Sequence, residues 1–141
     1  MDYRAMAEEL LSIRAGLLHV PAIQHMTNLV KGEMSVLNYL VTHENRAHPK
    51  DMSRDMLVST ARIAAILNHM EGKGLLTRTH DPEDNRQVIV SLTRDGMKEI
   101  QKRREEAICY IMRMLDYLGP EEAKEYLRIQ EKIIHGFAGR R

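Results

Sequence analysis

A single arginine, Arg86, stands at the end of a turn that is mostly acidic, within the stretch HDPEDNRQVIVSLT that begins at His80. Turn-forming residues come first and an alternating apolar run follows, which predicts the tip and second arm of a β-hairpin. A guanidinium is planar and always charged, so at a hairpin tip it suits the negative potential of a narrow nucleic-acid minor groove. Asp84 is spaced to hold the turn and to orient Arg86. The alternative is a solvent-exposed turn with an incidental salt bridge.

The sequence lacks the residue patterns that catalysis requires. It contains no Gly-rich phosphate loop, no nucleophile elbow and no paired-carboxylate arrangement, and the pair Glu121-Glu122 is better explained by the start of a helix. Seven histidines are dispersed, and no two have the i,i+4 spacing that places two imidazoles on one helix face. A metal site assembled in three dimensions from His19, His25 or His43 is the alternative. We therefore expect no enzyme, no cofactor and no metal.

Composition favours a protein of the cytoplasm. The chain has 141 residues, 43% of them hydrophobic and 29% charged, and its net charge of +1 gives no support for a nucleic-acid partner. No apolar run approaches the roughly 18 residues of a membrane span, and Met1 to Leu11 lack the pattern of a signal peptide. The lone Cys109 excludes an intramolecular disulfide. We expect its thiol to be a buried packing residue, with redox sensing as the alternative.

Apolar residues recur at intervals of three and four along most of the chain, which predicts mainly helical structure. Helices are expected from Tyr3 to about Pro21, from about Gly32 to Asn45, from Ser53 to Leu57, from Thr60 to Lys73 with Ser59 as N-cap, from Thr93 to Leu118, and from Pro120 onward. Gly74 is placed to end the fourth of these. Arg46 to Lys50 is interpreted as a connector, and strands are expected at Leu75–His80 and Gln87–Leu92.

This order of elements is that of a winged helix-turn-helix carried between helical arms. The fold class is thus mainly α with a small β-hairpin. We expect an N-terminal dimerisation helix in residues 1–31, the winged helix-turn-helix in residues 32–96 and C-terminal dimerisation helices in residues 97–141. The outer helices carry wide apolar stripes that must be buried against each other or against a second copy, so a homodimer is the simplest arrangement.

Three sequence motifs together resemble those of the MarR family of bacterial transcriptional regulators. They are the run LNHMEGKGLLTR from Leu67 to Arg78, the hairpin tripeptide Asp84-Asn85-Arg86, and LTRDG from Leu92 to Gly96. The set is specific, whereas each piece alone would be weak. The resemblance covers the whole chain in element order. It implies a dimeric winged-helix protein that binds double-stranded DNA, with an affinity commonly modulated by a small molecule or an oxidant.

The helix from Thr60 to Lys73 is then the expected recognition helix. If Ile63, Leu67 and Met70 form its buried stripe, the opposite face is short and carries mostly methyl groups. Small side chains allow close approach to the major groove, Arg62 could reach guanine or a phosphate, and the helix start suits a phosphate. The candidate DNA-binding residues are Ser59, Thr60, Ala61, Arg62, Ala65, Asn68, Asp84 and Arg86. For Ala61 and Ala65 the alternative is plain helix propensity on an exposed face.

The resemblance also implies an effector pocket, and Tyr39 and His43 on the second helix are its candidate residues. The expected function is sequence-specific DNA binding at a pseudo-palindromic operator, by a repressor that a small-molecule or oxidant effector releases. The alternative function is a winged-helix scaffold for protein interactions without specific DNA binding. Salt dependence separates the two, because binding through phosphates weakens steeply with salt.

Overall fold

A computed structural model describes residues 1–138, and these form seven helices and one two-stranded antiparallel sheet. The predicted fold class, a winged helix-turn-helix flanked by helices, is confirmed. The elements are α1 (Tyr3–Leu17), α2 (Pro21–Leu29), α3 (Gly32–Thr42), α4 (Pro49–Met56), α5 (Thr60–Gly72), β1 (Leu76–His80), β2 (Val88–Leu92), α6 (Arg94–Leu118) and α7 (Pro120–Phe137).

The hydrophobic core lies in the middle of the chain, between α3 and the first turns of α6. Ile63, Leu67 and Met70, the stripe predicted for α5, are each at most 1% exposed. Aliphatic and methionine side chains dominate the core, as the scarcity of aromatic residues in the sequence requires. Its buried members are Val36, Leu37, Tyr39, Leu40, Ala47, Met52, Ile63, Leu67, Met70, Leu76, Val90, Leu92 and Ile100.

The hairpin pairs Leu76 with Leu92 at its base and His80 with Val88 near its tip. The connector before α4 joins this sheet, because Ala47 and Val90 exchange two backbone hydrogen bonds of 3.2 and 2.8 Å. The connector is therefore part of the hairpin structure, which its sequence did not indicate.

Two helix boundaries differ from prediction for the same reason. Residues 1–31 hold two helices where one was predicted, since α2 begins at Pro21. Likewise α4 begins at Pro49 and not near Ser53. Each proline occupies the first helical turn, where its missing N–H costs nothing and its fixed φ favours the helix. From the sequence alone, both prolines are interpreted as breaks between elements.

The junction between the hairpin and α6 explains the LTRDG motif. Thr93 caps α6 as predicted: its hydroxyl donates to the Gly74 carbonyl at 2.6 Å and accepts from the Gly96 N–H at 3.1 Å. A Cβ atom on Gly96 would lie 1.9 Å from the Leu75 carbonyl oxygen. Only glycine therefore allows α6 to start this close to the entry of β1.

The two terminal helices contrast with this core, because neither α1 nor α7, as described, contains a buried residue. Their apolar side chains are largely exposed in the single chain, at 40% or more of their surface: Tyr3, Met6, Leu10, Leu11, Ile13, Leu127, Ile129, Ile133, Ile134 and Phe137. Among residues 1–138, no helix has the length and apolar character needed to cross a membrane.

Candidate nucleic-acid interface

The start of α5 is exposed to solvent and is capped by a side chain. The Ser59 hydroxyl oxygen accepts a hydrogen bond from the Arg62 N–H at 3.1 Å, so Ser59 is the N-cap that the sequence predicted. That bond uses the oxygen as an acceptor and leaves the hydroxyl proton free to be donated. Thr60 follows as the first helical residue and is exposed. A helix start of this kind attracts anions such as phosphate.

The face of α5 opposite the core is exposed and carries mostly short side chains. Ala61, Ala65 and Asn68 are all exposed, as expected from the position of the buried stripe. Arg62 lies beside them and is exposed as well. The face can therefore approach a groove closely, although only Arg62 and Asn68 offer side-chain hydrogen bonds there.

The tip of the hairpin presents Arg86 to solvent, with 91% of its side chain exposed. Asp84 accepts hydrogen bonds from the Arg86 N–H at 3.1 Å and from its Nε at 3.2 Å. The Gln87 N–H closes the turn by donating to the Asp84 carbonyl at 2.9 Å. The expected role of Asp84 in holding the turn is thus confirmed. One guanidinium edge is turned towards Asp84 and its outer nitrogens remain at the surface.

The root of the hairpin turn is fixed by Asp81, which sequence reasoning counted only as one more acidic residue of the turn. Asp81 is 5% exposed. Its carboxylate accepts from the Glu83 N–H at 2.9 Å and lies 2.8 Å from His48 Nε2 and 3.7 Å from Arg46 Nη2. These bonds, that from Glu83 first, hold the pKa of Asp81 below its usual value despite burial. A charged Asp81 therefore ties the hairpin to the connector before α4.

A second contact that the sequence did not reveal joins the hairpin to α5. The Arg78 side chain of β1 donates to Glu71 Oε1 at 3.0 Å and to Asn68 Oδ1 at 3.2 Å. Asn68 was a candidate DNA-binding residue, whereas Arg78 and Glu71 were not. The only hint in the sequence is that Glu71 and Arg78 stand seven residues apart, on either side of the change from helix to strand. Spacing alone does not show which way two side chains point across such a change, so the contact could not be predicted.

The candidate effector residues, Tyr39 on α3 and His43 at its C-cap, lie next to each other. Their rings stack with centroids 3.8 Å apart, and His43 Nδ1 donates to the Tyr39 carbonyl at 2.7 Å. The Tyr39 hydroxyl donates to Asp55 at 2.7 Å. Burial, followed by the bond to Asp55, raises the pKa of Tyr39 to about 12, so this phenol stays protonated at neutral pH.

Two cavities adjoin these residues. One of about 390 Å³ is bounded by the end of α2, by α3 and by the α4–α5 region, and its lining includes Tyr39, Asp55 and Arg62. The other, of about 500 Å³, is lined by Tyr39, His43 and charged residues of the connector and α4. An effector candidate and a DNA-binding candidate, Tyr39 and Arg62, thus share the first cavity.

Cys109 is exposed, so the expectation of a buried packing thiol is wrong for the single chain. It lies on the outer face of α6, beside the exposed Ile108. Within residues 1–138, no group of three or more His, Cys, Asp or Glu side chains is arranged to hold a metal ion.

The chain is similar to known proteins over the elements described above. The family model described as "Transcriptional regulator SarA/Rot" matches residues 20–103, which span α2 to the first part of α6. YdgJ, an HTH-type transcriptional regulator of Bacillus subtilis, is 26% identical over 98 residues, covering 70% of this chain and 59% of the relative. YfiV of the same organism is 31% identical over 90 residues, covering 64% and 56%. The chain thus spans less than two thirds of these relatives.

Solved structures extend the similarity to nearly the whole chain. AbsC of Streptomyces coelicolor, a MarR family transcriptional regulator, superposes with a TM-score of 0.72 at 20% identity, covering 99% of this chain and 97% of that one. FabT of Streptococcus pneumoniae, solved in complex with DNA, gives a TM-score of 0.73 at 20% identity, covering 96% and 97%. At these identities the likeness concerns the fold.

Proposed function

Since the chain belongs to the SarA/Rot family of transcriptional regulators, we propose that it binds double-stranded DNA as a homodimer through α5 and the hairpin. The predicted resemblance to MarR-type regulators is confirmed by this match and by the shared fold. The family is one of regulators and not of enzymes.

The observation that carries the proposal is the pairing of two exposed elements on one scaffold. The α5 face offers a capped helix start and small side chains, and the hairpin offers Arg86 at its tip. A helix in the major groove and an arginine in the adjacent minor groove are contacts that these two shapes allow. FabT, which shares the fold, was solved in complex with DNA, and this supports DNA as the partner. Ser59 and Thr60 are assigned to a phosphate, and Arg62 to a base edge or a phosphate.

The proposed dimer rests on the exposed apolar faces of α1 and α7. Residues 1–31 and 97–141 then carry the dimer contacts, and residues 32–96 contact DNA. A two-fold axis would place two recognition helices in successive major grooves, so the operator should be pseudo-palindromic with half-sites about 34–36 Å apart. Because the proposed partner is chromosomal DNA, we expect the protein to act in the cytoplasm.

The proposed regulation is repression relieved by a small-molecule or oxidant effector. The cavity that contains Tyr39 and Arg62 supports it, because a ligand there touches the recognition helix directly. Tyr39 is the better supported of the two candidate residues. Its neighbour His43 lines only the second cavity and already donates its Nδ1 proton to the backbone.

The test is selection of genomic fragments by the purified protein, followed by titration of an enriched fragment at several salt concentrations. Affinity should fall steeply with salt. Arg86→Ala should weaken binding to specific and unrelated DNA alike and make the salt slope shallower by up to about one unit. Arg103→Ala is the matched control, since its guanidinium is also exposed and salt-bridged, to Glu99, on a helix outside the residues proposed to contact DNA.

Two results would contradict the proposal. If no fragment is enriched and binding hardly responds to salt, the chain is a protein-interaction scaffold, an alternative that the nearly neutral net charge and the methyl-rich α5 face favour. If an Arg86→Ala protein remains folded and keeps full DNA affinity, the hairpin does not engage DNA.

A further inference from the structure

We propose that Arg78 is a positioning residue that holds the Asn68 amide with its Nδ2 amino group towards the major groove, so that Asn68 selects a hydrogen-bond acceptor and disfavours cytosine. This inference rests on the proposed DNA-binding function and adds to it the type of base that one position of α5 recognises. Arg78 and Glu71 are the residues that confer the selectivity without touching DNA.

The geometry consists of three hydrogen bonds that meet at the Arg78 residue. Its Nη2 donates to Asn68 Oδ1 at 3.2 Å and to Glu71 Oε1 at 3.0 Å, and its backbone N–H donates to Glu71 Oε2 at 3.0 Å. Glu71 therefore holds both the backbone and the side chain of Arg78. The Arg78 side chain is 29% exposed, which is less than the 40% of Glu71. Arg78 is thus partly buried between Glu71 and the exposed Asn68.

The orientation of the Asn68 amide follows from the chemistry of its partner. A guanidinium has five donors and no acceptor, whereas the two ends of an amide differ, because the oxygen accepts and the amino group donates. Turning the amide over would set its amino protons against the protons of Arg78. Oδ1 must therefore face Arg78, and the Nδ2 amino group points away from it, on the exposed side of α5.

Glu71 keeps the cation in place. Its bonds from Arg78, the side-chain bond first, hold the pKa of Glu71 below its usual value. The carboxylate is therefore charged throughout the physiological pH range. A guanidinium already held by a carboxylate loses less freedom on making its next bond than a free side chain does. The amide of Asn68 is thus set before any DNA arrives.

An amino group facing the major groove distinguishes among base edges. Guanine offers the acceptors O6 and N7 and thymine offers O4, but cytosine presents its N4 amino group, which is a donor. One hydrogen bond gained or left unmade changes affinity by about fivefold. We therefore expect guanine and thymine to exceed cytosine by about fivefold at the position facing Asn68.

Selection from a randomised DNA pool followed by sequencing tests the inference on the whole 141-residue chain. Asn68→Ala identifies the base position, because discrimination should be lost only there. Arg78→Met removes the guanidinium and keeps the apolar stem, so either end of the amide can face the groove and the preference should fall from about fivefold towards one. Arg103→Met removes an equivalent charge on α6 and should leave the preference unchanged.

Asn68→Asp is the sharper variant, because it does not require Arg78 to be altered. Arg78 can hold one carboxylate oxygen, and the other oxygen then faces the groove, where it accepts from cytosine N4. The preference at that position should invert in favour of cytosine, even though the added negative charge weakens binding overall. Thermal denaturation of each variant establishes that the comparison is made on folded protein.

The outcomes separate the inference from the function on which it rests. A wild-type motif that is unaffected by Asn68→Ala, that favours cytosine at this position, or that is unchanged by Arg78→Met would overturn the positioning role while leaving DNA binding intact. The inverted preference of Asn68→Asp, together with the flattened preference of Arg78→Met, would support it. A wild-type protein that enriches no sequence would overturn the proposed function, and this inference with it.

Discussion

The winged-helix body and the two terminal helices differ in how much of their apolar surface the single chain buries. All members of the buried core cluster fall between Val36 and Ile100, whereas α1 and α7 as described bury no residue completely. The body therefore obtains its stability from its own packing. The terminal helices carry apolar stripes that the single chain leaves in contact with water, and surfaces of that kind mark interaction sites. The winged-helix body carries the candidate DNA contacts, and the terminal helices carry the candidate dimer contacts, which would bring two such bodies together.

The largest effect should come from placing charge on the terminal stripes. Leu10→Glu and Ile133→Glu each put a carboxylate on a side chain that is 56% or 53% exposed in the single chain. In a symmetric dimer each substitution occurs twice, so the dissociation constant should rise by about a thousandfold, from a loss of about 2 kcal/mol per copy. Sedimentation equilibrium measures it, with circular dichroism to confirm that the helices remain.

Leu57→Glu is the matched control for this prediction, because Leu57 is 71% exposed but lies in the turn before α5. That variant should remain dimeric. A wild-type protein that is monomeric at micromolar concentration, or Leu10 and Ile133 variants that stay dimeric, would contradict the assignment of the stripes to a dimer interface.

The second prediction concerns the internal packing of the body. Gly96→Ala should lower the free energy of unfolding by about 3 kcal/mol, because the added methyl overlaps the Leu75 carbonyl and must push α6 away from the hairpin. Urea denaturation measures the loss. Gly72→Ala is the control: nothing lies within 4 Å of its Cβ position, so stability should be unchanged or slightly higher. Equal losses for both variants would mean that the close approach at Gly96 does not decide the effect, because helix propensity alone favours alanine over glycine at both positions.

The sequence predicted which elements form more accurately than where the helices begin, and the three prolines at helix starts show why. Pro120 was correctly placed at a helix start, while Pro21 and Pro49 were interpreted as breaks, although all three occupy the first turn of a helix. A proline has the same local geometry in both situations, and only packing of the residues after it decides which applies. The short α2, for example, is held against α6 by contacts such as the stacking of His25 on Tyr110 at 4.4 Å.

The candidate site divides in the same way. Ser59, Thr93 and Asp84 bond to groups two or three residues away, so their roles could be predicted from the sequence. Asp81 could not, because its partner His48 is 33 residues away and its burial depends on how the connector meets the hairpin. The Arg78–Asn68 bond likewise depends on the angle between β1 and α5. Side-chain spacing encodes local bonds, whereas contacts between elements require the packed structure.

The smallest predicted effect sharpens the contrast between exposed apolar residues of the body and of the ends. Leu57 has φ +57°, a left-handed conformation that costs a branched residue about 1 kcal/mol or more and that glycine or asparagine adopts more readily. Leu57→Asn should therefore raise the free energy of unfolding by up to about 1 kcal/mol. Leu57→Gly should raise it less, because glycine also gains freedom in the unfolded chain. Urea denaturation of both variants gives the order of their stabilities.

Shortening an exposed apolar residue would then stabilise the body, whereas Leu10→Ala in α1 should weaken the dimer. A loss of stability in both Leu57 variants would mean that this side chain makes a contact that its 71% exposure conceals.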